Sequence, residues 1–463
     1  MKNIIFIAIF VMAFVCASHI NKSNGSISKK PVELQIEDIQ FYNNFNIPRN
    51  VVIHAMPGTE TAIKELIKII SYINKTEKLY GSEGYNQSIK LTILLDEKYK
   101  HTRILHRLAG VSYSKPLEKM YKNYFYPLIV TSSGLEDFIW LQDIFEFGMV
   151  KYKHINDYKP AIFNMNYHAP GKNSKIIDLL SIAFKHNNIL LKGIGADPSE
   201  AGDAGGNLEV THEGRIFVGD TMSKTLIKDL ESKTGQKIIV LPTKWLQVGH
   251  VDEYLCFIPF AGETGAAVMY ADPLEALKLL ISSKTWRNPV ARDILDSLSY
   301  FAIHKFNKTM PFDIYSFDMN KPVRKIGNET DREFGRYSDW FVLKNLEAHI
   351  EIQNAIHILK KNMKQLPVFI GIPAIFKEPR DVAFYDTFGL VMANPLTNAV
   401  VLRDHIILPK GYFFSTAKLR IANKFKNNIH FIDTSWYEKN DGGIHCATNV
   451  VRDHKYKLKQ KRI

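Results

Sequence analysis

The chain has 463 residues, 46% of them apolar and 23% charged, with only three cysteines. That composition excludes a disordered, collagen-like or disulfide-scaffold protein and supplies ample material for a sizeable core. The formal net charge of +13 admits an acidic partner, but the lysines are spread out and no nucleic-acid-reading motif accompanies them. No nucleic-acid partner is therefore expected.

The N-terminus reads as an address rather than as structure. Lys2 precedes an apolar run of about 13 residues ending at Cys16, too few to span a bilayer comfortably. Val15-Cys16-Ala17-Ser18 has the small-residue pattern of a signal-peptidase site. Residues 1–17 are read as a signal peptide and the protein as secreted, with no membrane span in the mature chain. Loss of Cys16 leaves Cys256 and Cys446, which either pair or remain free. Export makes the Asn-x-Ser/Thr motifs at Asn21, Asn24, Asn74, Asn86, Asn307 and Asn328 candidate glycosylation sites. Residues 18–45 are polar and read as a leader, and 46–463 as a single domain. The basic tail Lys455–Arg462 reads as a solvated end.

Beyond the leader, strand and helix alternate. Val51–Met56 predicts a buried strand ended by Pro57-Gly58, and Ile63, Leu66, Ile67 and Ile70 then follow helical spacing. Leu91–Asp96 and Pro127–Thr131 predict strands, and Phe138–Asp143 a second apolar run with an acidic end. Helices are expected over 176–185 and 225–234, with strands at 189–191, 207–210, 216–218, 238–241 and 254–258. A helical pattern covers 272–305. The longest helix is expected from Phe341 to Leu366, with Leu343, Leu346, Ile350, Ile356, Leu359 and Met363 as its apolar stripe. Strands at 368–370, 399–402 and 429–432 complete the series.

Chemistry is expected where strands end, at Asp143, at His250 with Asp252, and at Cys446. A His-x-Asp on a strand turns both side chains to one face. Cys446 follows Asp441-Gly442-Gly443-Ile444-His445, a turn that presents a thiol with backbone N–H groups nearby. Two carboxylates suit a guanidinium through paired hydrogen bonds, a thiolate can attack its central carbon, and a histidine can move the protons. Metal-ligand spacing for zinc is absent.

Val248-Gly249-His250-Val251-Asp252-Glu253-Tyr254 and Gly443-Ile444-His445-Cys446-Ala447-Thr448-Asn449 resemble signatures of the peptidyl-arginine deiminases. Trp140-Leu141-Gln142-Asp143 with Glu146 and Gly148, Gly206-Asn207-Leu208-Glu209-Val210, and Ile372–Lys377 match in the same order, together covering roughly 130–452. The resemblance implies an α/β fold, the five-bladed α/β propeller of guanidine-modifying enzymes. It implies Cys446 as nucleophile, His250 as proton carrier, Asp143 and Asp252 gripping the guanidinium, and Trp140 beside the substrate side chain. His445 is read as structural. The implied reaction converts arginine residues of proteins or peptides to citrulline through a covalent amidino-thioether. Calcium (Ca2+) is the implied cofactor, held by Gln142, Glu146 and Glu209 side chains and main-chain oxygens of Gly205 and Leu208, all hard oxygen donors. Ile144 stands where a second calcium site of the family expects a carboxylate.

The sequence also departs from the family. The immunoglobulin-like domains of vertebrate members have no counterpart in residues 18–130. No arginine occurs in Tyr158–Lys175, where the family's backbone-gripping loop belongs. The alternatives are a deiminase of free arginine or a small guanidine such as agmatine, and a catalytically silent extracellular binding protein. A basic chain acting on cationic arginines also requires a cleft whose local field differs from the average.

Overall fold

A computed structural model describes residues 35–79, 88–96, 129–131, 139–165, 174–191, 201–260, 265–282, 329–377, 391–392, 397–410, 428–438 and 442–457. The predicted signal peptide, the sequons other than Asn74 and most of the basic tail lie outside these residues. The described chain begins with strands β1 (Ile36–Phe41) and β2 (Asn46–Ala55), helix α1 (Glu60–Leu79), and strands β3 (Lys90–Asp96) and β4 (Ile129–Thr131). A helical turn, α2 (Leu141–Ile144), runs into β5 (Phe145–Tyr152), followed by β6 (Lys159–Asn164), α3 (Ser174–Phe184) and β7 (Asn187–Leu190). Next come β8 (Leu208–Val210), β9 (Ile216–Gly219), α4 (Lys224–Thr234), β10 (Ile239–Leu241), β11 (Leu255–Pro259) and β12 (Ala266–Asp272). Helices α5 (Pro273–Ser282) and α6 (Glu329–Asn362) precede β13 (Val368–Pro373) and a small ribbon of β14 (Phe376–Lys377) and β15 (Val391–Met392). Strands β16 (Val400–Leu402), β17 (His405–Pro409) and β18 (Ile429–Ile432), helix α7 (Ser435–Glu438) and β19 (Thr448–Lys457) complete the chain.

One pairing rule recurs: a strand lies antiparallel to the next, which lies parallel to a third. It holds for β5-β6-β7, β8-β9-β10, β11-β12-β13 and β16-β17-β18. The fifth unit joins the two ends of the chain, with β19 antiparallel to β2 and β2 parallel to β3. Where the crossover is described, a helix covers it, as a parallel connection requires. Helix α4 shows the local logic. Ser223 accepts a hydrogen bond from Leu226 N at its start, Gly235 ends it in the left-handed conformation, and Leu226 and Leu230 face inward.

Five hydrophobic clusters close the ring, each shared by two neighbouring sheets. Phe163 and Val218 belong to the cluster between the β5 and β8 units, Phe217 and Phe257 to the next. Met269 with Val401, Val400 with Ile53, and Val52 with Phe145 mark the remaining three. Successive residues of one strand therefore feed opposite cores, Leu255 and Phe257 one and Cys256 and Ile258 the other. A blade buried on both faces explains why these strands read as continuous apolar runs. The architecture is the five-bladed α/β propeller. Cys256 and Cys446 are both free, the first buried in a blade interface.

Three expectations need correction. The leader assigned to 18–45 contains β1, an added edge strand on β5. Ile39 and Phe41 are buried with exposed Gln40 between them, the period-two pattern of a half-buried strand. The longest helix spans Glu329–Asn362; Leu346, Ile356, Leu359 and Met363 of the expected stripe are buried, but Ile350 is 58% exposed and Ala348, Ile352 and Ala355 are buried in its place. Asn74 does not project a free amide: its Nδ2 donates to Ile89 O (2.9 Å) and its Oδ1 accepts from Ile89 N (2.8 Å).

A histidine pair joins β17 to β18, with His405 Nδ1 2.8 Å from His430 Nε2. Burial, reinforced by His405, lowers the His430 pKa from its ordinary 6.5 to about 4. The unfolded chain takes up this proton at a higher pH than the folded one does. The stability tied to His430 is thus complete above pH 6.5 and lost as pH falls toward about 4. The urea midpoint should drop across that window, and His430→Gln should flatten part of the slope. An unchanged slope in the variant would rule this pair out as its source.

Candidate active site

Each blade offers the same place to a functional side chain, the few residues leading into its first strand. Asp143 lies on α2 immediately before β5, and the 3-10 turn Gly205–Asn207 precedes β8. His250 and Asp252 lie on the 3-10 turn Val251–Glu253 and its N-cap, ahead of β11. Thr397 and Asn398 precede β16, and Gly443–Cys446 precede β19. Helical and 3-10 turns therefore carry the acidic residues, not the strand ends that the apolar runs suggested. His250 and Asp252 meet because a tight turn folds one over the other. Glu253 Oε1 accepts from His250 N (2.9 Å) to fix that turn.

The lead-ins are laced together across the axis. Gln142 N donates to Cys446 O (3.1 Å), Val251 N to Asn207 Oδ1 (3.2 Å) and Thr397 Oγ1 to Glu253 O (3.0 Å). Gly206 marks where they converge. A Cβ built there would lie 2.9 Å from His250 Nδ1, 3.0 Å from Asp143 Oδ1 and 3.2 Å from Asp252 Oδ1. His250 Nδ1 is itself 3.5 Å from Asp143 Oδ1. Both carboxylate Oδ1 atoms are buried and accept no hydrogen bond among the described residues. Asp143 Oδ1 thus has only the 3.5 Å approach of His250 Nδ1, and two buried acceptors without a hydrogen bond are a standing energetic cost that a donor-rich group would offset.

Cys446 Sγ lies 3.5 Å from Asp252 Oδ2 and 3.0 Å from Asn398 Nδ2. The turn presenting it admits only glycine at two points, because a Cβ would lie 2.3 Å from the Trp140 ring at Gly442 and 2.4 Å from Asn398 Oδ1 at Gly443. Trp140 thus borders the nucleophile turn, with its ring also against Tyr437 at 5.9 Å. His445, read as structural from sequence, places Nδ1 3.0 Å from Asp252 Oδ2. Burial pulls its pKa down, but the Asp252 hydrogen bond and charge outweigh this and hold it above the ordinary value.

The local field opposes the chain's net charge. Burial raises Asp143 to about 6; His250 pulls it back, and Asp252 pushes it up further. Burial, then the charges of Asp252 and Asp143, push the Cys446 thiol well up. The cleft is an acidic pocket in a basic protein, which suits a cation.

The residues implied as calcium ligands also gather. Gln142, Glu146, Leu208 and Glu209 line one cavity with His445 and Arg452, and a Cβ on Gly205 would lie 2.9 Å from Glu146 Oε1. Burial and the neighbouring carboxylates, Glu209 first, raise Glu146 well above its ordinary range. The donors are oxygens, and a buried pair of carboxylates only partly offset by His445, Arg452 and Gln142 fits a hard divalent cation. Among the described residues no three His, Cys, Asp or Glu side chains converge as ligands, so a bound cation would need main-chain and amide oxygens to complete its shell. Gln142 at present turns Nε2, not its oxygen, toward Glu146.

Sequence reasoning missed two contributors. Asn398, in the run Leu396-Thr397-Asn398-Ala399, carries no spacing signal. Arg452 is buried, donating to Asn46 O, Asn44 Oδ1 and Val401 O, and no motif in the sequence singles it out.

A propeller whose axis joins a thiol, histidines and paired carboxylates belongs to a class equipped for a planar cation. Residues 112–458 match the family described as Protein-arginine deiminase (PAD). The chain belongs to that family. It is similar to human protein-arginine deiminase type-1 (26% identity over 344 residues, 68% of this chain and 46% of the relative). Human protein-arginine deiminase type-3 matches at 30% identity over 348 residues, again 68% of this chain and 46% of the relative. The chain spans about half the length of these relatives. Among solved structures, the agmatine deiminase of C. jejuni aligns over 91% of this chain and 98% of its own, with a TM-score of 0.48 and 12% identity.

Proposed function

We propose that this chain hydrolyses the guanidinium of arginine residues in proteins or peptides to citrulline and ammonia, with calcium ordering the site. The observation that carries the reading is the pair of orphaned Oδ1 atoms of Asp143 and Asp252 beside His250 and within reach of Cys446. They accept the guanidinium N–H groups, and the bound cation cancels the repulsion that keeps the thiol protonated. The thiol proton passes to His250, and Sγ bonds to the central carbon. The C–N bond breaks as His250 returns the proton to the departing ammonia, leaving a cationic amidino-thioether. His250 then takes a proton from water, the hydroxide adds to the carbon, and the C–S bond breaks. Citrulline leaves uncharged as the added hydroxyl gives up its proton; of that proton and the one on His250, one returns to the thiolate and the other leaves with ammonia as ammonium. Gln142, Glu146, Glu209 and the main-chain oxygens of Gly205 and Leu208 would hold calcium, whose charge satisfies the two carboxylates and steadies the α2 turn carrying Asp143. The N-terminal segment supports action outside the cell, where calcium is abundant.

The second reading, free arginine or agmatine as substrate, is favoured by the lack of arginine in Tyr158–Lys175. Citrulline or carbamoyl product is measured with a peptidyl arginine ester, free arginine and agmatine, with and without a calcium chelator. The ester alone should turn over, and only with calcium. Turnover of free arginine alone, indifferent to chelation, would remove the protein substrate and the calcium together. No turnover of any of them would leave a silent binding protein.

A further inference from the structure

Four of the five lead-ins supply a group already placed in the site, and the fifth, ahead of β16, supplies Asn398. We propose that Asn398 is a further catalytic residue, the hydrogen-bond donor that holds Cys446 Sγ and Asp252 together for attack. Its side chain is 2% exposed, and its hydrogen bonds go to the nucleophile turn and to Asp252. Oδ1 accepts from the backbone N of His445 (2.8 Å) and of Cys446 (3.2 Å). Nδ2 donates to Cys446 Sγ (3.0 Å) and to Asp252 Oδ2 (3.2 Å).

The orientation of the carboxamide follows from its partners. Two backbone N–H groups can only donate, so the oxygen must face them and the amino group must face the sulfur. A flipped amide would set two donors against two donors. The residue itself is pinned, because Thr397 Oγ1 donates to Glu253 O (3.0 Å) on the turn that carries Asp252. One amino group therefore lies between two groups that are both anionic once the thiol ionises, and that are only 3.5 Å apart. A preorganised donor aimed at the sulfur stabilises it when charged and again when it departs from the amidino-thioether.

The role rests on the deimination reading, so the readouts separate the two. Asn398→Asp keeps an oxygen for both backbone N–H groups but exchanges the donor for an acceptor. Asn398→Ala removes donor and acceptor without adding charge. Alkylation of Cys446 by iodoacetamide, followed by mass spectrometry of its peptide, needs no turnover. In Asn398→Asp it should slow about tenfold, with kcat for a peptidyl arginine ester down about 100-fold and KM within about threefold of the parent. Its melting temperature should fall, because the new carboxylate is buried beside Asp252, so both rates are read well below the transition. In Asn398→Ala alkylation should slow by a similar factor while the melting temperature falls. Parent-like alkylation and kcat in Asn398→Asp mean that Asn398 only braces the turn, and overturn the proposal. If the aspartate variant does not fold, parent-like alkylation in Asn398→Ala does the same. A parent that alkylates normally but turns over no guanidine removes the deimination reading and leaves the donor role to the alkylation rates.

Discussion

Cys446→Ser should fold as the parent does and lose at least about four orders of magnitude in turnover, on the scale seen when a nucleophile is removed. Stability should barely change, because Cys446 is half-buried on a turn and belongs to none of the five inter-blade cores. Activity should vanish because the same surroundings act on both residues. Burial and the charges of Asp252 and Asp143 already push the thiol well above its ordinary range. A hydroxyl starts several units higher and forms a harder, less stabilised anion, so even a guanidinium held by both carboxylates does not bring it into reach. Mass spectrometry after acid quench gives a second readout. The parent should accumulate an adduct on the Cys446 peptide with a peptidyl arginine substrate, and the variant none. Turnover retained by Cys446→Ser, or an adduct found on another residue, would refute the assignment.

The strands were legible because the fold buries both faces of each blade. Ile216–Val218 and Tyr254–Ile258 carry unbroken apolar runs buried on both faces, whereas Leu190 and Val240, on the third strands of their blades, stay apolar in sequence although they face outward. Ile36–Phe41 escaped because it is an edge strand with one wet face, and two inward residues, Ile39 and Phe41, are a faint signal among polar neighbours. The site residues were legible as identities but not as geometry. Alternation along a strand gave a plausible reason for His250 and Asp252 to share a face, whereas a capped 3-10 turn is what brings them together. Asn398 was invisible for a related reason. Its function depends on four contacts to residues 47 positions or more away, and no local pattern encodes a contact of that range. Ile350 shows the opposite error: helical spacing places it on the stripe within tolerance, but only the facing cluster decides which edge of the stripe is dry.

The acidic centre of a basic protein has to be balanced, and Glu209 tests how. Calcium should raise the melting temperature of the parent, by about 2.7 kcal/mol of stability at a hundredfold excess over Kd, and a chelator should reverse it. Glu209→Gln should lose that increment and the calcium-dependent activity with it. The sign in the presence of chelator is the sharper expectation. Burial raises Glu209 to about 7, with His445 and Arg452 only partly offsetting it and Asp252, and Glu209 is the foremost charge raising Glu146. Removing one of two buried like charges relieves the other, so Glu209→Gln in chelator should melt at or above the parent. Magnesium should replace calcium poorly, because amide and main-chain oxygens set at the lead-ins to β5 and β8 favour the larger ion's looser coordination. Equal melting of the parent with calcium and with chelator would remove the site. A Glu209→Gln variant less stable than the parent in chelator would show that Arg452, not a bound cation, is the partner for which this carboxylate is kept.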